Sequence, residues 1–321
     1  MGTFLSTPKM DGALAARIAR SVRLQRPKQR REFAERPRVS LFGALLMLAL
    51  LGLVVLFVVI RVREGRSLER RRAAVVEALR AKRALLTSSE ASFLERTEPW
   101  IAAMAGTWEG DFVAESLRAE GALPSILARP TIYLRGPIEK VGVAQQLAQV
   151  AAASNKDFFL LCLLDPPKAR SEERILEKIR GVQFGGPAFD RRTAHVFRLS
   201  DVEAGLAVLR PGWLARVQLA KETKLLVKLR AEVDHAPVAE AKQAAGAEHL
   251  LVVVDEGGGS ELEPERPHFV RVVLADARTQ TVLLRLRRHV DPGLLSPALQ
   301  HAHGRDVGSC GLALGVHDAI R

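Results

Sequence analysis

The 321-residue sequence has few of the residues that mark common enzyme and metal sites. It contains two cysteines, Cys162 and Cys310, and no CxxC motif, so no zinc ribbon or thioredoxin-like redox pair is indicated. It also contains no GxSxG or GK[ST] motif, which argues against a nucleophile elbow and a phosphate-binding loop. We therefore predict no catalytic, cofactor-binding or metal-binding residues and no cofactor, and we favour a protein that is not an enzyme.

The two cysteines leave one structural question open. Cys162 lies within an apolar segment, where a buried thiol is expected. A disulfide between Cys162 and Cys310 is allowed in an oxidising compartment, but nothing in the sequence brings the two residues together.

The net charge of +12 is unevenly distributed. Residues 1–40 carry +7 (ten Lys or Arg against three acids) and residues 61–105 carry +4 (ten against six), whereas residues 106–321 carry +1 (28 against 27). A nucleic-acid-binding domain would need its basic excess on the folded part. A basic band beside an apolar segment instead favours anionic lipid headgroups. The charge distribution predicts a lipid bilayer as a partner and argues against nucleic acid.

Residues 41–60 contain no charged residue and no Ser, Thr, Asn or Gln. As a helix, these twenty residues would span about 30 Å, the thickness of the hydrocarbon core of a bilayer. Arg61 and Arg63 follow directly, without a small-residue cleavage site, which favours an uncleaved signal-anchor over a signal peptide. We predict a single transmembrane helix over 41–60.

The flanking charges are balanced within twenty residues on each side of this segment, with seven Lys or Arg in 21–40 and seven in 61–80. The whole tail decides the orientation, because a +7 segment is harder to translocate than a long, nearly neutral domain. We predict an inner (cytoplasmic) membrane protein of a bacterial envelope with its N-terminus in the cytoplasm. Its parts are a basic, mostly disordered cytosolic tail (1–40), the transmembrane helix (41–60), a helical stalk (61–105) and a periplasmic, extracytoplasmic domain (106–321).

The pattern of residues 106–321 predicts an α/β domain with a mixed sheet, in which βαβ units precede a three-strand antiparallel meander. The expected strands of the first part are Thr131–Arg135, Asp157–Leu164 and Ala194–Leu199. Helices are expected over Val141–Ala153 and Ser171–Arg180. The expected meander consists of His249–Asp255, His268–Ala275 and Thr281–His289. We expect Val282, Leu284 and Leu286 on one face of the last strand, Arg285 and Arg287 on the other, and a short helix from about Gly311.

Two segments, Gly246–Val254 and Val273–Leu284, resemble the periplasmic α/β domains of the N-terminus of the Tol translocation protein and of lipoprotein activators of cell-wall synthases. The second segment resembles their hairpin, in which Gly commonly stands where this chain has Gln280. The resemblance covers about forty of the 321 residues. It implies a binding module without catalysis.

The sequence offers two candidate sites of different kinds. The first is a surface patch for a partner, formed by Arg271, Arg285, Arg287 and Arg288 on the open face of the hairpin. The predicted function is then an anchored envelope protein that binds another envelope protein or a cell-wall polymer. The alternative is a membrane-tethered hydrolase with a site near Asp165 and Asp255, which both end predicted strands.

Two histidine-containing segments have plain interpretations. His301 and His303 have no further ligand at zinc spacing, so we predict loop histidines there. Gly308–Gly311 with His317 lacks the spacing of a nucleophile elbow.

Overall fold

The protein is described by a computed structural model over residues 41–185, 191–257, 266–291 and 297–321. The tail predicted over residues 1–40 lies outside this range. The chain divides into two compact units, Met1–Arg66 and Ser67–Arg321, which we describe separately. The second is called the folded unit below.

The α-helices are α1 (Leu41–Arg83), α2 (Ser88–Ala91), α3 (Phe93–Met104), α4 (Ala122–Leu127), α5 (Ile138–Val141), α6 (Leu147–Ala153), α7 (Phe158–Leu164), α8 (Glu172–Gly185), α9 (Leu199–Leu206), α10 (Pro211–Leu219), α11 (Thr223–His235), α12 (Val238–Ala245) and α13 (Pro297–Ile320). Short 3-10 helices cover Glu115–Leu117, Ala144–Gln146 and Ala207–Leu209. The strands are β1 (Phe112–Val113), β2 (Thr131–Pro137), β3 (Val196–Arg198), β4 (His249–Glu256), β5 (His268–Asp276) and β6 (Thr281–Val290).

In the first unit, the apolar segment is helical, as predicted. The part of α1 with the highest mean hydropathy, 3.1, is long and apolar enough to cross a membrane, and none of it is buried. A second apolar pair of helices, Ala144–Ala153 and Phe158–Leu164, is bent by 79°. Its apolar side chains pack into the cores of the folded unit. Within the described residues, the chain thus has one straight candidate for a membrane span.

The folded unit is built on a six-stranded mixed sheet in the order β1-β6-β5-β4-β2-β3. Strand β2 pairs in parallel with both β3 and β4. The pairs β4–β5, β5–β6 and β1–β6 are antiparallel. The predicted α/β class, mixed sheet and antiparallel meander are confirmed.

Helices cover both faces of this sheet and form two cores. The first core contains apolar residues of β2 and β4 and of helices that include α3, α6, α9, α11 and α12, together with Val75 of α1. The second core contains the opposite face of β2, β4, β5 and β6, packed against α7, α8 and α13. Side chains alternate between the two cores along a strand because successive residues point to opposite faces: Leu134 lies in the first core and Tyr133 in the second.

The start of the folded unit differs from the predicted stalk. Residues Val75, Phe93, Leu94 and Ile101 are at most 3% exposed and belong to the first core. The capping box at Thr87 and Glu90 is present, with the Glu90 amide donating to Thr87 Oγ1 at 3.3 Å and the Thr87 amide donating to Glu90 Oε2 at 2.7 Å. The packed unit therefore begins about forty residues before residue 106, because these helices bury their apolar faces against it.

One predicted strand is wrong. Residues 158–164 form helix α7, capped by Asp157, whose side chain accepts a hydrogen bond from the Leu160 amide at 3.2 Å. The segment is apolar on every side because five of its seven residues are buried. A short, uniformly apolar run shows neither a helical nor a strand period, so the sequence pattern could not separate the two.

The end of the chain also differs from its prediction. Helix α13 begins at Pro297 and not near Gly311, and it contains His301 and His303, which we had predicted in a loop. Several glycines lower its helical propensity. One of them, Gly308, permits close packing on the sheet, because an added Cβ would lie 2.9 Å from Val290.

The predicted alternation along β6 is wrong at its start. A register shift between Leu274 and Ala275 places Val282 opposite Ala275, while Leu284 stays opposite Leu274. Leu283 is the extra residue of this bulge and packs against the second core. A β-bulge reverses the side-chain alternation on one side of it, so Val282 leaves the face of Leu284 and Leu286.

Candidate functional site

A buried cluster of polar side chains lies where β2 and β4 end. Arg135 of β2 is 8% exposed, and β2 and β4 are parallel, with Pro137 aligned to Asp255. Their carboxyl ends therefore meet at one edge of the sheet. Arg135 donates from Nε and Nη2 to the two carboxylate oxygens of Asp255, at 3.0 and 2.8 Å, which is the bidentate geometry of a strong ion pair.

Two further elements supply partners to the same guanidinium. Nη1 of Arg135 donates to Asp157 Oδ2 and to Ser309 Oγ, both at 2.7 Å. Asp157 caps α7 and also accepts a hydrogen bond from the Tyr133 hydroxyl at 2.9 Å. We call these residues the Arg135 cluster, and its members are Tyr133, Arg135, Asp157, Asp255, His268 and Ser309.

The ionisation of the cluster is set by its charge pairs. Burial by itself raises the pKa of Asp255, but the Arg135 guanidinium and a hydrogen bond from His268 hold that pKa well below its usual range. Burial lowers the pKa of Arg135, but Asp255 and Asp157 raise it well above its ordinary value. A general base needs a pKa near the working pH, and Asp255 is far from that condition. Each side-chain nitrogen of Arg135 already donates to a neighbour, so the cluster is a closed structural network.

Asp165, the other carboxylate considered for a hydrolase, lies at the C-terminal end of α7. It pairs with Lys178 at 2.8 Å and with Arg192. Asp255 pairs with Arg135 and with His268, whose Nε2 is 3.4 Å away. Within the described part of the chain, the two aspartates thus lie in separate ion pairs.

Three of the four arginines of the predicted patch share one face of the β5–β6 hairpin. Arg271 is opposite Arg287, and Val273 is opposite Arg285. Glu256 pairs with both Arg271 and Arg287. Burial raises the pKa of Glu256, but hydrogen bonds from the two arginines hold it below its usual value. We call Arg271, Arg285 and Arg287 with Glu256 the hairpin cluster.

The fourth arginine is separate. Arg288 is opposite Val270, which belongs to the second core, so it points to the other face of the sheet. It pairs with Asp111 beside β1, and Asp111 also accepts a hydrogen bond from the Arg287 amide at 3.0 Å.

A groove of about 160 Å³ opens beside the hairpin cluster. Trp100, Met104 and Trp108 form part of its wall and are half-buried. The guanidinium carbons of Arg271 and Arg285 lie 5.5 and 5.7 Å from the ring centre of Trp108, within the range of cation–π contact. The full lining is Trp100, Ala103, Met104, Thr107, Trp108, Glu109, Val273, Val282 and Arg285. An open groove with two indole rings and a cation can hold a flat or cyclic group of a partner.

Cys162 and Cys310 form a disulfide. The bridge joins α7 to α13 across 148 residues of sequence, with the two Cα atoms 5.2 Å apart. Both residues are fully buried in the second core. The spacing of two cysteines carries no information about such a contact, so the bridge required the placement of both helices.

A third charged cluster lies between helices on the first-core side. Arg210 donates to both Glu98 and Glu203. Burial of Glu203, together with its hydrogen bond to Glu98, raises its pKa to about 7, although Arg210 opposes the shift. Two carboxylates that share one guanidinium therefore hold a proton near neutral pH.

The remaining sequence candidates carry no site geometry. Across the described residues, no group of three His, Cys, Asp or Glu side chains could hold a metal ion. The segment Gly308–Gly311 lies inside α13, and Ser309 belongs to the Arg135 cluster. His317 contacts the Leu163 carbonyl oxygen at 2.9 Å through its Nε2.

Comparison of the chain with protein-family models, with curated proteins and with solved structures finds no match. The resemblance to the Tol and cell-wall-synthase activator domains therefore stays a prediction.

Sequence reasoning missed Arg135, Asp157, Trp100 and Trp108 as members of clusters. A charged residue in the strand-like run TIYLR is a signal in retrospect, because a buried arginine requires carboxylate partners. No comparable signal exists for Trp108, since the segment 105–111 that lies against β6 has no pattern of its own, and Trp100 reads as an ordinary apolar position of α3.

Proposed function

We propose that this chain is a single-pass protein of the inner membrane of a bacterial envelope, and that its folded unit is an extracytoplasmic module that binds another protein or a cell-wall polymer. The N-terminus lies in the cytoplasm and the segment 41–60 crosses the bilayer. The observation that carries the proposal is the buried Cys162–Cys310 bridge in a chain that also has a membrane-length apolar helix.

The bridge supports the periplasmic side for the folded unit. Disulfides form and persist in the periplasm, whereas cytosolic thiols are kept reduced. The same orientation follows independently from the +7 charge of residues 1–40, which disfavours translocation of the tail.

The groove beside Trp108 supports binding. Its two indole rings and Arg285 are accessible from one side, and aromatic and arginine side chains are the residues that most often dominate binding energy in interfaces. The Arg135 cluster, in contrast, has its charges paired within the fold. The closed state of that cluster favours a binding module over catalysis at the ends of β2 and β4.

Location is tested in cells. A reporter that is active only outside the cytoplasm should be active when fused after Arg321 and silent when fused at Met1. The full-length chain should stay in the pellet after carbonate washing of membranes. After unfolding in denaturant, its cysteines should resist alkylation until a reductant is added. Reversed reporter activity, or thiols that are free in freshly broken cells, would contradict the orientation.

Binding is tested with purified full-length protein in detergent. Insoluble peptidoglycan and solubilised envelope proteins serve as two separate baits. Trp108→Ala should reduce retention on the bait that carries the ligand by about tenfold or more, as expected for an aromatic anchor. Phe269→Ala is the matched control, because Phe269 is 41% exposed on the same hairpin but does not line the groove. Equal losses for both variants, or no retention on either bait, would count against the groove.

A further inference from the structure

The last residue of α10 and the first half of α11 expose three large apolar side chains. Leu219 is 75% exposed, Val227 is 50% exposed and Leu225 is 38% exposed. Within the described part of the folded unit they are three of seven large apolar residues that are exposed. Large apolar residues exposed within one short stretch of a folded protein are a feature of surfaces that contact a partner or a membrane.

The same stretch carries a local excess of positive charge. Residues 219–228 hold three lysines and one acid, a net charge of +2, whereas residues 106–321 as a whole carry +1. Lys221, Lys224 and Lys228 are exposed. Across the described residues, none of these three lysines forms an ion pair with an acid. We call Leu219, Leu225, Val227, Lys221, Lys224 and Lys228 the α10–α11 surface.

This surface lies at the end of the folded unit where the chain enters it. Arg72 donates from Nη2 to the Ala220 carbonyl at 2.8 Å and from Nε to the Val217 carbonyl at 3.2 Å. At the other end of α11, Lys82 donates to the Ala236 carbonyl at 3.2 Å. Helix α11 thus follows α1 in the direction of the chain, and the α10–α11 turn is beside the residues just after Ser67.

The distance to the membrane is limited by the chain itself. Six residues, 61–66, separate Ile60 from Ser67, and even a fully extended segment of this length reaches only about 25 Å. If 41–60 spans the bilayer, as proposed above, Ser67 lies within that distance of the end of the span. Such tethering makes even a weak surface contact effective.

We propose that the α10–α11 surface docks on anionic phospholipid headgroups of the membrane that anchors the chain. The lysines meet the negative surface, and Leu219 and Val227 enter the boundary between headgroups and acyl chains. Basic residues next to apolar ones are the composition of surfaces that lie in a membrane interface. The inference rests on the proposed anchor.

The test places a fluorescent label in the full-length protein reconstituted into vesicles. Because the described cysteines are bridged, a thiol-reactive bimane reports on the introduced site: Leu219→Cys on the surface, or Thr279→Cys in the β5–β6 turn as the exposed control. The vesicles contain phosphatidylcholine with or without phosphatidylglycerol, plus a phospholipid with a nitroxide near its headgroup. We expect strong quenching at position 219 in phosphatidylglycerol vesicles and little at position 279.

Charge reversal separates docking from mere proximity. The variant Lys221→Glu/Lys224→Glu/Lys228→Glu should lower quenching at position 219 by about tenfold or more, since each lysine adds to the attraction, and high salt should act in the same direction. Far-ultraviolet circular dichroism checks its fold, and a Lys→Gln triple variant should give an intermediate loss. Equal quenching at 219 and 279, or quenching insensitive to charge reversal, would overturn the inference. Extraction of the chain by carbonate from the same vesicles would instead refute the anchor.

Discussion

Asp255 and Glu256 are consecutive carboxylates at the end of one strand, and both pair with arginine, yet they do so in different environments. Asp255 points to the second core, where Arg135 is nearly fully buried. Glu256 points to the other face, where it meets Arg271 and the partly exposed Arg287. The one-residue offset sends neighbouring charges to opposite faces of the sheet.

The difference teaches which arginines can serve a partner. In the Arg135 cluster the guanidinium donates hydrogen bonds to Asp157, Asp255 and Ser309. A pair of this kind costs desolvation and is sensitive to removal of one member. In the hairpin cluster Arg271 is as buried as Arg135, but Arg287 and Arg285 are partly exposed, and Arg285 lies beside the Trp108 groove. The first cluster maintains the fold, whereas Arg285 and Arg287 of the second remain accessible to a ligand.

The largest effect is expected from a substitution that disrupts the Arg135 cluster. Arg135→Met leaves Asp157 and Asp255 without their guanidinium, and we expect a loss of about 3–5 kcal/mol in the free energy of unfolding. The matched variant Arg287→Met on the hairpin should cost no more than about 1 kcal/mol, because Arg287 is partly exposed and Glu256 keeps its ion pair with Arg271. Denaturant unfolding of the full-length protein in detergent, followed by circular dichroism, measures both. Similar losses for the two variants would remove the distinction between the clusters.

The disulfide lies on the same face of the sheet as the Arg135 cluster. The variant Cys162→Ala/Cys310→Ala should lose about 2–4 kcal/mol, chiefly because the unfolded chain is no longer cross-linked. Reductant should lower the free energy of unfolding of the wild-type protein by a similar amount. It should leave the free energy of unfolding of the double variant unchanged. A reductant effect on the double variant would show that the destabilisation has another source.

Glu203 and Glu256 should affect stability differently as the pH changes, because the pKa of Glu203 is raised and the pKa of Glu256 is lowered. The pKa of Glu203 rises from 4.5 to about 7, so the folded state holds an extra proton between these values. The resulting stability is fully present below about pH 4.5 and is lost as the pH rises through about 7. The pKa of Glu256 is lowered, so its contribution is lost only as the pH falls below its ordinary range.

The test is the free energy of unfolding measured from pH 5 to pH 8. Glu203→Gln should flatten the decline across this range, and Glu256→Gln should leave its slope unchanged even where it lowers stability. An unchanged slope in Glu203→Gln would mean that Glu203 is ionised throughout.

The parts of the fold that could be predicted from the sequence are those in which a local residue pattern determines the structure. Strands β4 to β6 were predictable because apolar runs that contain β-branched valines, with turn residues between them, define a meander locally. Helix α7 was not, because a run such as Phe158–Leu164 has no period to read. The Arg135 cluster and the disulfide depend on contacts between residues more than 100 positions apart, such as Arg135 with Asp255 and Cys162 with Cys310. A local sequence pattern does not predict such long-range contacts.

The smallest expected effect lies in the turn that joins the two strands of the hairpin cluster. Gln280 has a φ of 56°, the only positive φ among the described residues other than glycine. The turn is fixed by Asp276, whose Oδ1 accepts hydrogen bonds from the amides of Arg278 and Thr279 at 2.8 and 2.7 Å. Position 280 is also where the hairpins of the predicted Tol-type resemblance commonly have glycine.

Gln280→Gly should therefore stabilise the folded unit. The left-handed conformation costs a residue with a Cβ about 1–2 kcal/mol, while glycine adds roughly 0.5–1 kcal/mol of flexibility to the unfolded chain, which leaves a net gain of about 0.5 kcal/mol. Gln280→Ala is the matched control, since it shortens the side chain but keeps the Cβ, and it should give no gain. Thermal unfolding of the three proteins side by side resolves the difference. If glycine and alanine change the unfolding temperature equally, the effect comes from the Gln280 side chain. The positive φ of the backbone at this position would then cost no stability.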